Sequence, residues 1–187
     1  MNHISVVLLS YLFFNSLSAR SQPGPPPPNG DTLVAYRQQL WVIGEKEMQD
    51  HCKKVQKDRR RIYYLFNRRL RMSFQVKGIY THQGLLFFRL AISNRSHLDY
   101  VVDSIRFFMW DSKGVKRNIP SLHLDPMYRY GNTTLIKGKS QEESVIVLPQ
   151  FTLPADKWLV IEVSEKNGGR KLELLVNNFT LLRSRLI

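Results

Sequence analysis

A single cysteine, Cys52, occurs in 187 residues, so no intramolecular disulfide can support the fold. Cys52 reads instead as a small buried hydrophobe. Paired-cysteine metal motifs, a HisGluXXHis helix and a phosphate-binding glycine loop are all missing. His82, His97 and His123 fall in or beside expected turns without a second ligand at metal spacing, and His97 with Asp99 is an isolated pair. His51 and Cys52 are adjacent, which on a helix points them in different directions and removes a thiol–imidazole nucleophile. These absences leave an enzyme without candidate residues. No cofactor, metal or small-molecule substrate is expected.

Acidic residues are also scarce: 15 Asp and Glu stand against 28 Lys and Arg, a net charge of +13 and a pI near 10.1. Such a charge favours anionic partners without choosing among nucleic acid, lipid headgroups and acidic proteins. Much of it gathers between Gly44 and Arg71. Gly44 to Arg61 holds no proline and is rich in good helix formers. Met48, Cys52 and Val55 recur at four and three residues, continued by Ile62 and Phe66, which defines one face of an amphipathic helix. Glu45, Glu47 and Asp50 lie toward its start. Lys53, Lys54, Lys57, Arg59, Arg60 and Arg61 lie toward its end, complementing the helix dipole. Arg68, Arg69 and Arg71 carry the positive run into the first strand. The cluster reads either as a solvated face or as a phosphate-contacting surface. No helix-turn-helix, zinc-finger or RNA-recognition signature accompanies it.

Ile4 to Phe14 is an apolar run of signal-peptide length, too short to span a bilayer as a helix. Ser16, Ser18 and Ala19 follow and suit cleavage near Ala19. Pro23-Gly24-Pro25-Pro26-Pro27-Pro28-Asn29-Gly30 fixes φ and removes N–H donors, so it reads as a semi-rigid polyproline spacer. The expected organisation is a signal peptide over 1–19, a Pro-rich linker over 20–31 and one domain over 32–187. Export from the cytoplasm is expected.

The remainder is strand-rich. Met72, Phe74 and Val76 alternate with polar neighbours, the half-buried strand pattern, and Gly78 breaks the alternation as a bulge would. Leu85 to Ile92 is nearly all apolar, so both faces should be covered. Tyr100 to Trp110, Ser144 to Leu148, Trp158 to Val163 and Lys171 to Val176 are further strands. Asp111-Ser112-Lys113-Gly114 is a turn by composition, and Asn167-Gly168-Gly169 is a strong hairpin signal. Pro149 and Pro154 bracket a loop. The fold class expected is α+β but mainly β: an antiparallel, immunoglobulin-like β-sandwich preceded by one basic amphipathic helix. Asn94, Asn132 and Asn178 head Asn-X-Ser/Thr triplets, glycan acceptors in a eukaryotic secreted chain.

Gly78-Ile79-Tyr80, Ser93-Asn94-Arg95-Ser96, Asp99-Tyr100, Ile105-Arg106-Phe107, Lys116-Arg117, Pro126-Met127-Tyr128 and Glu165-Lys166-Asn167-Gly168-Gly169-Arg170 resemble the TraN family of conjugative transposons from Bacteroides-type bacteria. The resemblance runs from about Gly44 to the carboxyl end. It implies an exported, periplasmic or outer-membrane-associated, non-enzymatic structural subunit of a type IV secretion-like conjugative DNA-transfer apparatus. Partners would be other apparatus proteins in the envelope, or further copies of the chain. The chain departs from the family where the Pro-rich stretch replaces a further β-rich region before the helix.

The expected contact residues are the basic set Lys53, Lys54, Lys57, Arg59, Arg60, Arg61, Arg68, Arg69 and Arg71, with an aromatic loop of Tyr128, Arg129 and Tyr130. The alternative is a nucleic-acid-binding protein that sets the basic helix 44–71 on phosphates.

Overall fold

A computed structural model describes residues 43–111 and 122–187. The expected leader, the Pro-rich linker and the turn after Asp111 lie outside them. The elements are α1 (Glu45–Lys57), β1 (Phe66–Arg69), β2 (Met72–His82), β3 (Leu85–Asn94), β4 (Tyr100–Asp111), β5 (His123–Leu124), β6 (Tyr128–Gly131), β7 (Leu135–Ile136), β8 (Gln141–Pro149), β9 (Lys157–Glu165), β10 (Lys171–Asn177), α2 (Asn178–Leu182) and β11 (Arg185–Leu186). Among the described residues, no helix is long and apolar enough to cross a membrane.

The strands form two sheets. A six-stranded sheet runs β1-β2-β3-β8-β6 with β11 beside β2, and a five-stranded sheet runs β10-β9-β4-β5 with β7 beside β4. All pairings are antiparallel except β11 with β2. The mainly β sandwich behind one helix therefore stands, with the short α2 as an addition. Its cap is the Asn177 side chain, which accepts the Thr180 N–H at 2.8 Å.

Side chains at alternate positions meet between the sheets. Phe74, Val76, Phe88, Leu90, Ile92, Ile146 and Leu148 of the first face Ile105, Phe107, Leu159, Ile161, Val163, Leu172 and Leu174 of the second. Phe88 and Phe107 join the layers edge to face at 5.3 Å, a geometry that adds to area burial. The near-continuous apolar run of β3 is buried on both faces as its composition requires, because α1 covers the outer side.

Met48, Cys52 and Val55 of α1 pack on Phe87, Val145 and Val147, and each fully buried side chain stabilises by about 1.5–3 kcal/mol. The helix ends at Lys57, four residues before the expected Arg61, and Ile62 and Phe66 do not extend its face. Asp58 takes extended backbone and its carboxylate accepts the Arg60 N–H at 2.9 Å. That local bond competes with the next helical turn.

Gly78 marks a bulge, with the register shifting between Val76 and Gly78. The extra residue switches the inward positions of β2 from even (Met72, Phe74, Val76) to odd (Ile79), which lets Tyr80 face the helix layer. A Cβ at Gly78 would lie 2.6 Å from the Tyr80 ring, so the ring needs a glycine there.

Candidate functional site

The basic set does not form one surface on one helix. Lys53, Lys54 and Lys57 lie on α1, Arg59, Arg60 and Arg61 in the connection after it, Arg68 and Arg69 on β1, and Arg71 in the turn to β2. All nine are exposed. Three have local partners: Lys53 pairs with Asp50 at 3.2 Å, Arg60 with Asp58 at 2.8 Å, and Arg68 lies 5.4 Å over the Phe66 ring. Arg60 holds the Asp58 carboxyl down to about 2, chiefly through its side-chain hydrogen bond. Among the described residues, no carboxylate pairs with Lys54, Lys57, Arg59, Arg61, Arg69 or Arg71.

Tyr128, Arg129 and Tyr130 are not a loop. They form β6, paired with Val147, Ile146 and Val145 of β8. Both tyrosines are half-buried against the layer under α1, and only Arg129 is exposed. The local sequence hid this because a four-residue strand with alternating burial resembles a turn between prolines and glycines. Arg68 and Arg69 on β1 and the Tyr128–Tyr130 strand β6 thus lie at opposite edges of the same sheet, while the rest of the basic set sits on α1 and in the connections flanking β1. Among the described residues, β1 pairs only with β2 and β6 only with β8.

Beneath the carboxyl end of α1 sits an ion cluster that the sequence did not suggest. Lys77, at the bulge, and Arg89 are both buried and both bond the Glu143 carboxylate, Arg89 through Nη2 at 2.8 Å. Arg89 also donates to the Asp58 carbonyl at the helix end, and Gln56 donates to the Glu143 carbonyl at 3.2 Å. Burial pushes the Glu143 carboxyl up, but the Lys77 and Arg89 bonds outweigh it and leave it below its usual range. A buried cation at a helix carboxyl terminus also meets the negative end of the dipole.

The quoted turn motifs converge at one end of the sandwich. Arg170 bonds Glu165 through Nε at 2.9 Å, Ser96 Oγ at 3.1 Å and the Asp99 carbonyl at 2.7 Å. Asn94 Nδ2 donates to the Leu98 and Ile136 carbonyls, and Asp99 accepts the Gly138 N–H at 2.8 Å. The Asn94 amide is thereby buried and engaged, which removes it as a glycan acceptor. Gly138 lies so close to His97 that an added Cβ would stand 2.5 Å from its carbonyl oxygen. The network ties three loops and contains no arrangement of nucleophile and base.

Two further features escaped the sequence. On the outer face of the second sheet Phe108 and Val160 lie side by side, as do Trp110 and Trp158, with the Phe108 and Trp110 rings 6.2 Å apart. His82 also has a partner that sequence spacing did not reveal. The His51 ring of α1 lies 4.3 Å away, and Glu47 reaches the same place. Burial first, and then the neighbouring His51, lowers the His82 pKa. Cys52 beside them is fully buried, and burial pushes its thiol up to about 12.

Residues 45–186 match the family model described as a domain of unknown function, DUF4138. No curated protein matches. Among solved structures, the chain is similar to an uncharacterized β-sandwich protein from Clostridium difficile 630, at 12% identity and a TM-score of 0.34, over 65% of this chain and 96% of that one.

Proposed function

This chain belongs to the DUF4138 family, and on that premise we propose that it is a non-enzymatic structural subunit of a conjugative DNA-transfer apparatus, exported to the cell envelope and working by protein–protein assembly. The family within DUF4138 is the TraN family of conjugative transposons, on the motifs that cluster around Arg170. The observation that carries the assembly mechanism is that Arg68 and Arg69 of the basic set, and Tyr128, Arg129 and Tyr130, lie on the two outermost strands of one sheet, β1 and β6, which among the described residues each pair with a single neighbouring strand. Exposed edges present unpaired backbone donors and acceptors and are natural surfaces for adding a strand. Arg68 and Arg69 on β1 also blunt that edge against indiscriminate pairing. Edge β6 carries a single exposed charge, Arg129, and is the better pairing surface.

Co-isolation of partners from an envelope fraction tests this reading. Tyr128→Ala and Arg129→Glu should each reduce recovery of apparatus proteins, and a charge reversal at Lys53, Lys54, Arg59 and Arg60 tests the basic set. Unchanged recovery in all three rejects the edge mechanism. A cytoplasmic location of the chain rejects the envelope role.

The second reading is nucleic-acid binding, favoured by Lys54, Lys57, Arg59 and Arg61 standing exposed without acidic partners among the described residues. It requires duplex affinity that falls steeply as salt rises. A flat salt response removes it.

A further inference from the structure

Three side chains with metal-binding atoms meet where α1 crosses the β2–β3 hairpin. Glu47 and His51 lie one turn apart on α1, and His82 ends β2. Their donor atoms all fall within 4.8 Å of one another. Glu47 Oε1 stands 3.5 Å from His51 Nε2. That is close to the ligand–ligand edge of a tetrahedral zinc site, about 3.3 Å for metal–ligand bonds of about 2.0–2.1 Å. The two imidazole rings are 4.3 Å apart and tilted by 50°.

The second observation is an accounting failure inside the cluster. The His51 side chain is 12% exposed, and neither ring nitrogen makes a hydrogen bond. Buried imidazole nitrogens in native proteins are almost always satisfied, and an orphan calls for a water, an ion or a functional role. Glu47 is near enough for attraction but not aligned for a hydrogen bond. Phe87 meets the His51 ring edge-on at 6.3 Å and supplies an apolar floor instead of a polar partner. A tilted pair of imidazoles with no further polar partner leaves these nitrogens uncompensated in a low-dielectric site.

We propose that Glu47, His51 and His82 form a binding site for one divalent metal ion of the zinc class, clamping α1 to the β2–β3 hairpin. Two imidazoles and a carboxylate are a borderline nitrogen–oxygen donor set that suits this class over calcium or magnesium. All three ligands are held on regular elements: Met48 and Cys52, beside Glu47 and His51, are buried in the helix–sheet layer, and His82 is fixed by pairing with Leu85. Glu47 is half-exposed, so the site is open to solvent on that side. The clamp would fasten the amino-terminal half of α1, opposite the end already tied by Arg89. The proposal is independent of the envelope role.

Titration of the full, untagged, chelator-treated chain with Zn²⁺ and with Co²⁺ tests it. One equivalent should bind, Co²⁺ should give the visible spectrum of a tetrahedral nitrogen–oxygen site, and Zn²⁺ at about 100-fold above Kd should raise the unfolding midpoint by on the order of 5–10 °C. His82→Gln and His51→Gln should each weaken binding at least ~100-fold, since loss of an outer-shell partner alone costs about 10–100-fold. His97→Gln, His123→Gln and Cys52→Ser should leave it intact. Should His51→Gln fail to fold, His82→Gln and Glu47→Gln, at less buried positions, carry the test. Absence of saturable uptake, or uptake that survives His82→Gln in folded protein, overturns the site.

Discussion

The Arg170 guanidinium lies 5.0 Å over the ring of Tyr100, and the Tyr100 hydroxyl donates back to the Arg170 carbonyl at 2.9 Å. One residue thus holds the start of β4 from both its backbone and its side chain. Arg170 and Glu165 are 15% and 13% exposed, so their ion pair is largely removed from solvent. The Arg170 bonds hold the Glu165 carboxyl below its usual range.

Arg170→Ala should therefore destabilise the fold by about 3 kcal/mol, because it strands Glu165 and frees the Ser96–Asp99 loop. Arg170→Lys should recover little of this, since an ammonium cannot reproduce the fork that reaches three partners. Urea unfolding at neutral pH reads both values. A loss under about 1 kcal/mol for alanine would show that the corner is held by Tyr100 packing alone.

Glu143→Gln should cost about 3–5 kcal/mol, because it leaves Lys77 and Arg89 buried with one anion fewer. The pH dependence has a fixed sign. The folded Glu143 pKa is depressed, so its stabilisation is present above the unfolded value of about 4.3 and is lost as pH falls through the folded value. The difference in urea midpoint between parent and variant should be full near neutral pH and shrink in acid. A gap independent of pH would assign the loss to shape instead of charge.

The β1–β2 connection is built from Leu70 and Arg71 with φ of 52° and 60°. Both sit in the left-handed region, which disfavours residues with a Cβ. Asn and Gly prefer this two-residue turn. Leu70→Asn with Arg71→Gly should stabilise the chain by about 1–2 kcal/mol. A neutral or negative result in chemical denaturation would mean that the exposed Leu70 contributes packing that the geometry does not show.

Cys52 should resist thiol reagents in the native state and react only on unfolding, because burial holds it protonated. Reaction of the folded chain at the rate of a free thiol would contradict the docking of α1. Under oxidising conditions the chain should remain free of intermolecular disulfides.

Much of this fold was readable from residue order. Met48, Cys52 and Val55 announced the helix face, Leu85 to Ile92 the doubly covered strand, Gly78 the bulge and Asn167-Gly168-Gly169 the β9–β10 hairpin. These signals are local, and periodicity or turn chemistry carries them. The failures are of another kind. The helix stop depends on an Asp58 side-chain bond and a distant Arg89, and the Leu70–Arg71 turn is imposed by strand pairing against local preference. Tyr128–Tyr130 looked like a loop because pairing with β8 is a property of the sheet. His51 and His82 are brought together by helix docking, so no sequence spacing could mark them. The edge positions of Arg68 and Arg69 likewise required the strand order.

Arg89 reaches from the middle of β3 to the carbonyl of Asp58, the residue that caps α1, and this bears on how the molecule comes apart. Peeling the helix away would abandon a cation inside the sheet layer with only Glu143 left to answer both it and Lys77. A half-open intermediate is thereby penalised, and helix and sandwich should lose their amide protection against hydrogen exchange together, in one cooperative step.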